Sequence, residues 1–577
     1  MTAPADTRLP APAAPRTSAA VPPPAGGVVL GEPDLWCTYA ATRTLAWLGR
    51  IRDATDPEAT ARYLTGRRNA DGGYAWSVGM PSDAWATFYC TQALTDLGRP
   101  VPRPEETAAW LATTWTGDAY GMTPGQDAEV WATHFSTRTA LGPARSAVPD
   151  PQRLLTWLSR LQTEDGGLSW SPGHTTADVR ACHYGAAAWA ALNAHQRVRP
   201  PWDVPRLVAW IQDQQAPEGG FRFSPDAGTP CMWATYRSVA ALRILDAMPR
   251  YDIEPWVRAL RGPNGAFVRW EGYPVEDVWA SFCAVGALVG VGADLTGVAD
   301  DVVRRVAELA CPGGGYTYRE PALAADALTT AAAVLARPDD PAVPAHRSWL
   351  EGCRLPNEAG LMYMPGRGSE IRCTLWGLTA GAFADPVLHA EQRAGVLGWL
   401  RALQNPDGGF GLWEGRGSDS LSTAAAVAIL RLLGADVTTV LDAGALEAFT
   451  ARDPAGGSRT RLRRLRVRHA LGHVDDAPVR EVLGAHKVRG GGWADTGSRM
   501  PDLLSTYEAV ATADLFGIAI DPEHLRRFVD RVHTADGTAW TPLAPATGGP
   551  LAECLGVLLR RRAGQGPTGR LPDLVLS

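Results

Sequence analysis

The sequence predicts an all-α fold in which about twelve helical hairpins close into two α/α toroids, each an (α/α)6 barrel. The first observation behind this is a recurring phrase: a glycine-rich turn with an aromatic, a short polar stretch, an acidic residue, then a helix dense in small and aromatic residues. Its clearest copies are DGGYAWSVGMPSDAWATFYCTQAL from Asp71, DGGLSWSPGHTTADVRACHYGAAAWAAL from Asp165, NGAFVRWEGYPVEDVWASFCAVGAL from Asn264 and DGGFGLWEGRGSDSLSTAAAVAIL from Asp407. The second is the interval. The acid recurs at Asp34, Asp83, Glu129, Asp178, Asp277, Asp326, Glu370, Asp419, Asp502 and Glu553, with Pro230 in the slot once and spacings of 44 to 52 residues outside one worn copy between Asp419 and Asp502. The third is the alternation of an all-round apolar helix with a one-faced helix, which separates an inner from an outer ring.

Taken in order, residues 1–30 are rich in Ala, Pro and Thr without apolar periodicity and are expected to form a disordered tail. The first toroid is assigned to residues 31–305 and the second to 306–577, on the simple arrangement of one ring after the other. Within a unit, the Gly-Gly pair permits the positive φ of a tight turn. The acid that follows sits where a carboxylate caps the orphan N–H groups of a helix and complements its dipole. The inner helix, as in Asp83 to Leu97, is apolar over most of its circumference and so is expected to be buried on several sides. The outer helix, as in RLLTWLSRLQ from Arg153 or AGVLGWLRALQ from Ala394, carries apolar residues at i, i+3, i+4 and i+7.

Composition narrows the function classes. A hydrophobic fraction of 45% with a net charge of -6 describes an ordinary globular chain, and the acidic balance argues against a nucleic-acid partner. No apolar run approaches the ~20 residues of a membrane span, and no signal-peptide core is present. The nine cysteines lie mostly inside helical phrases without CxxC pairing, so they are expected to be reduced, buried thiols of a cytoplasmic protein. The densest basic segment, RTRLRRLRVRHA from Arg459, is expected to pack Leu462 and Leu465 while Arg461, Arg464 and Arg468 share a solvated, salt-bridged face. The acidic pairs Asp339-Asp340 and Asp475-Asp476 sit in Pro-containing, loop-like contexts and are discounted as metal motifs.

The Q-x-x-DGG-aromatic phrases, as in LQNPDGGFGLWEG and LQTEDGGLSWSPG, resemble the repeat of the prenyltransferase and squalene-cyclase superfamily over residues ~31–560. That superfamily includes squalene and oxidosqualene cyclases, class II diterpene cyclases and the β subunits of protein prenyltransferases. The resemblance therefore implies a small-molecule isoprenoid as the ligand.

Class II cyclases protonate an alkene or epoxide with the middle aspartate of an Asp-x-Asp-Asp-Thr-Ala-like motif, and such an acid must be neutral and desolvated to protonate so weak a base. The segment AADALTTAAAVL from Ala324 resembles this motif, and LMYMPGRGSEIRCTLWGL follows at a family-like distance. The resemblance implies Asp326 as the acid with Thr329 and Thr330 as its hydrogen-bonding neighbours, while Leu328 stands where the family has its proton donor. The expected activity is that of an atypical class II-like terpene cyclase acting on a linear prenyl diphosphate.

Carbocation chemistry also calls for aromatic walls. The chain has 22 Trp, of which Trp85, Trp131, Trp233, Trp279 and Trp376 sit two or more residues into inner helices and are the expected cavity residues. A diphosphate head calls for cations or Mg²⁺, and Arg367 and Arg372 lie one repeat after Asp326. A protein prenyltransferase would instead need a zinc site. The chain contains no Asp-x-Cys, and its nearest set, Asp178, Cys182 and His183, is expected to be packed core rather than a metal site. The alternatives to a cyclase are thus a prenyltransferase-β-like transferase, which would need a protein partner, or a silent toroid binding a lipid or a protein.

Overall fold

The computed structural model describes residues 33–576 except 226, 228, 273–275, 318–325, 355–358, 363–368, 414–415, 453–456, 536 and 545–548. Six inner helices form a first ring: α1 (Leu35–Trp47), α2 (Ala84–Asp96), α3 (Val130–Leu141), α4 (Val179–Gln196), α5 (Met232–Ile244) and α6 (Val278–Val291). Each packs on the next, and α6 packs back on α1. Six shorter helices run outside them, from Pro57–Thr65 to Ala299–Glu308, five of which have Pro in the first turn, where the missing N–H costs nothing.

The repeated acid is a helix cap. Asp34, Asp83, Asp178 and Asp277 accept first-turn N–H bonds from Cys37, Ala86, Arg180 and Ala280. The residue four positions after the cap joins helix to turn, by accepting the N–H of the turn's aromatic or leucine. Thr87 serves Tyr74, Thr133 serves Tyr120, Cys182 serves Leu168, Thr235 serves Phe221 and Ser281 serves Phe267. The sixth turn closes the ring, because Tyr316 donates its N–H to Thr38 of α1 and its carbonyl accepts from Asp34.

That closure moves the boundary. A division at residue 305 would cut through the helix Ala299–Glu308, whose Val302, Val303 and Val306 belong to the first core, and that core continues to Tyr316.

A second ring follows: α7 (Ala327–Ala336), α8 (Ile371–Thr379), α9 (Ser420–Leu432), α10 (Ser458–Ala470), α11 (Leu503–Leu515) and α12 (Gly549–Gln565). It has its own core, and α12 closes it through Arg561, which donates to the carbonyls of Leu335 and Ala336. The worn repeat is therefore an inner helix, α10. Arg461 pairs with Glu481 and Arg468 lies beside Glu447 as expected of a solvated face, but Arg463 and Arg466 turn into the ring at 7% and 1% exposure. They meet the segment Leu571–Leu576, which enters the ring's lumen and is buried there at Leu574, Val575 and Leu576.

The rings meet through the turns at the N-terminal mouths of their inner helices. Trp413 of the second ring lies against Trp131 and Trp170 of the first, each with ring centroids 5.6 Å apart. Arg416 pairs with the buried Glu129, and Met80 packs onto the second core. All nine cysteines are buried free thiols, and no described helix is long and apolar enough to cross a membrane.

Candidate active site

The inner helices of the first ring share one register, so residues at equal distances from their caps form layers around the lumen. Two residues past the cap stand Trp36, Trp85, Trp131, Arg180, Trp233 and Trp279. This belt is nearly continuous: Trp36 and Trp279 are 4.5 Å apart, Trp233 and Trp279 5.9 Å, and Trp85 and Trp131 4.4 Å. Arg180 takes the sixth place, its guanidinium 5.7 Å from Trp233 and 5.2 Å from Trp170, and Asp178 neutralises it through two-pronged bonds of 2.9 and 3.1 Å from Nε. The belt thus carries no net charge.

The next layer holds Tyr39, Phe88, His134, His183, Tyr236 and Phe282, with Tyr89, Phe135, Tyr184 and Arg237 one residue further. Tyr39 stacks on Tyr89 at 4.1 Å. Arg237 lies between Tyr184 and Tyr236, 4.9 and 5.0 Å from their centroids, and donates to His183 Nδ1 at 3.0 Å. Deeper still, Arg43 is paired with Asp96, whereas Arg138 rests on the face of Phe88 at 4.7 Å. Among the described residues no carboxylate pairs with Arg138 or Arg237. Burial, and then these arginines and each other, hold His134 and His183 well below the usual histidine range, so both are neutral at physiological pH. The lumen is therefore aromatic, neutral at its mouth and positive at its depth. At 1.5 Å per helical residue, six to nine residues past the caps place the two cations about 9 to 14 Å below the rim.

One carboxyl at that rim stands apart. Asp83 keeps some contact with solvent yet is surrounded by protein between Trp76 and Trp85, after a turn whose Gly79 approaches Trp540 and Ala544 of the second ring. Desolvation pushes its pKa up to about 7, against the opposing bonds from the Ala86 and Trp85 N–H groups and the Trp76 indole. A substantial fraction of this carboxyl is neutral at pH 7.

The residues expected from sequence divide into two groups. Trp85, Trp131, Trp233 and Trp279 come together in the belt. Trp376 does not: it lies in the second ring, fully buried, and donates its indole N–H to Val575 O at 2.9 Å. Asp326 caps α7, accepting from the Thr329 N–H at 2.8 Å and the Thr329 hydroxyl at 2.7 Å. Asp419 has the same two bonds from Ser422, at 2.7 and 2.8 Å, so this arrangement is a feature of the repeat. Thr330 occupies the position that elsewhere holds a turn. Its buried hydroxyl has no partner among the described residues, and it does not bond Asp326. Leu328 is buried at the place of the family's donor. Arg372 is held by Glu370 at 2.6 Å, and Arg367 lies outside the described residues.

The zinc candidates are separately engaged. Asp178 is held by Arg180, the Cys182 sulfur accepts the Leu168 N–H at 3.3 Å, and His183 faces Arg237. Among the described residues no group of three or more His, Cys, Asp or Glu is placed to hold a metal ion.

The prenyltransferase alpha-alpha toroid domain family matches residues 24–114, 77–228, 203–336 and 345–559, and the chain belongs to that family. Among solved structures it is similar to ent-copalyl diphosphate synthase from Streptomyces platensis, at 16% identity over 93% of this chain and 96% of that one, with a TM-score of 0.42. It is also similar to protein geranylgeranyltransferase-I of Candida albicans complexed with GGPP, at 12% identity over 47% of this chain and 87% of that one, with a TM-score of 0.38. A third is the type II terpene cyclase MstE from Scytonema, at 15% identity over 47% and 88% of the two chains and a TM-score of 0.32. Likeness at these identities and scores says nothing of reaction or substrate. No curated protein sequence matches the chain.

Proposed function

We propose that the protein binds a prenyl diphosphate in the first ring and cyclises it as an atypical class II-like terpene cyclase, with Asp83 in place of the acid that Leu328 replaces. The observation that carries this reading is a layered aromatic lumen ending in the buried Arg237 and the half-buried Arg138, neither of which is paired with a carboxylate among the described residues. A buried charge without a counter-charge is costly in a free protein, and an anionic ligand removes that cost. Arg138 and Arg237 would take the diphosphate, supplying positive charge that Mg²⁺ would otherwise provide, and the tyrosine and phenylalanine side chains that now fill the lumen would swing aside to admit the apolar chain toward the tryptophan belt.

In this arrangement the distal alkene reaches the rim. The neutral Asp83 gives its proton to one alkene carbon, the cation at the other is attacked by the next π bond, and loss of a proton at the end yields a cyclic isomer that keeps its diphosphate. The belt faces stabilise the intermediate cations by quadrupole attraction. Calorimetry with farnesyl diphosphate and with farnesol tests the binding half: Arg138→Met and Arg237→Met should each weaken the diphosphate more than tenfold and leave farnesol unchanged. Equal binding of farnesyl diphosphate by wild type and both variants would sink the reading.

A further inference from the structure

The second ring's lumen is built on the same register as the first but with different fillers. Where the first has Tyr39, Phe88, Tyr89 and Phe135, two inner helices of the second have Ala331, Ala332, Ala424 and Ala425, all buried, while others keep larger residues such as Leu375, Trp376 and Tyr507. The space that remains is taken by Leu571–Leu576, a segment of six residues that spans at most about 20 Å.

The way this segment is held is informative. Its carbonyls accept from four inward-pointing donors: the Tyr507 hydroxyl to Pro572 at 2.8 Å, Arg466 to Leu574 at 3.3 Å, the Trp376 indole to Val575 at 2.9 Å and Arg463 to Leu576 at 2.9 Å. Those donors are 0% to 7% exposed and come from three helices. The bonds are to backbone oxygens, so they do not depend on the segment's side chains. Its one charged side chain, Asp573, lies between Arg466, at 2.7 Å, and Arg431. Without the segment, Arg431 and Arg466 lose Asp573, and Glu508 is the carboxylate left in direct contact with Arg463 and Arg466. That leaves an excess of positive charge and a cluster of donors at an apolar lumen lined by Trp376, Leu504, Tyr507 and Leu555.

We infer that the lumen of the second ring is a binding site for an apolar chain with an anionic, acceptor-rich head, and that Leu571–Leu576 is its built-in occupant and competitor. A phosphate or diphosphate head supplies the acceptors that the four carbonyls now supply and the charge that Asp573 now supplies. Its hydrocarbon replaces Leu574, Val575 and Leu576 beside Trp376, Leu504, Tyr507 and Leu555. This site stands independently of the first ring and of Asp83.

The test compares the full chain, a chain ending at Arg570, and Asp573→Asn, by calorimetry with dodecyl phosphate and with farnesyl diphosphate. The two probes tell a simple lipid head from an isoprenoid one. The chain ending at Arg570 should bind dodecyl phosphate at least tenfold more tightly than the full chain, and a synthetic LPDLVLS peptide should compete for that site. Asp573→Asn should fall between the two. In the full chain, saturating dodecyl phosphate should raise hydrogen exchange at residues 571–576. The inference is overturned by unchanged affinity on truncation, or by a segment still protected at saturation. If the shortened chain does not fold, Asp573→Asn decides: increased affinity and exchange support a displaceable occupant, and wild-type values make the segment ordinary core.

Discussion

The two rings bury arginine in opposite ways. In the first, Arg138 and Arg237 lie among aromatic faces with no carboxylate partner among the described residues, in a lumen that its own side chains fill. In the second, Arg463 and Arg466 are tied to Glu508, Asp573 and backbone carbonyls, in a lumen filled by another part of the chain. The same repeat thus produces one ring whose charge is left over for a ligand and one whose charge is spent on the fold. Part of the difference lies in the fifth and sixth residues after the caps, which are aromatic in α2 and alanine in α7 and α9.

If that contrast is right, removing an arginine should have opposite consequences in the two rings. Arg466→Met leaves the buried Glu508 with Arg463 alone and the half-buried Asp573 with Arg431 alone, and should destabilise the protein by about 3 kcal/mol. Urea denaturation should show the loss in the transition of the second ring alone. Next in size, Asp83→Asn should stabilise the protein by about 1–2 kcal/mol at pH 8, allowing for partial solvent screening. The sign follows from its raised pKa: between the ordinary carboxylate value of 3.8 and about 7 the folded state binds more protons than the unfolded, so wild-type stability falls as pH rises through that window. Melting curves from pH 4 to 8 should be flatter for the variant, and parallel curves would contradict the shift.

Asp326→Ala should cost about 1 kcal/mol, the ordinary loss of a cap, and Asp419→Ala the same, measured by thermal melting. A far larger cost or a selective loss of turnover at Asp326 would restore it as the acid. The smallest effect has the most telling sign. Arg237→Met removes an uncompensated charge, so the free protein should hold its stability or gain up to about 1 kcal/mol. Destabilisation comparable to that of Arg466→Met would erase the distinction between the rings.

Much of the fold was legible because the period is strong and most of the acids stand at a helix start; Glu553, expected to open a helix, instead lies inside α12. The belt was legible for the same reason: Trp85, Trp131, Trp233 and Trp279 share a register that the repeat displays directly. The rest depended on facts that repetition conceals. Arg138 and Arg237 were passed over because arginine is ordinarily at the surface, although their positions nine and six residues past the caps put them on the lumen side. Arg463 and Arg466 were hidden in the worn copy, where Gly457 replaces the acidic cap and the expected outer face was only half of the helix. Asp83 and Asp326 occupy identical slots. What separates them is their surroundings: Asp83 lies desolvated between Trp76 and Trp85, whereas Asp326 is held by both the N–H and the hydroxyl of Thr329.

The central claim is tested most directly by mass spectrometry of products from geranyl, farnesyl and geranylgeranyl diphosphates with Mg²⁺, for wild type, Asp83→Asn and Asp326→Asn. The account predicts a cyclic product that retains diphosphate in wild type and Asp326→Asn, reduced at least 100-fold in Asp83→Asn. A product that survives in Asp83→Asn and disappears in Asp326→Asn would contradict it, as would the absence of turnover in all three.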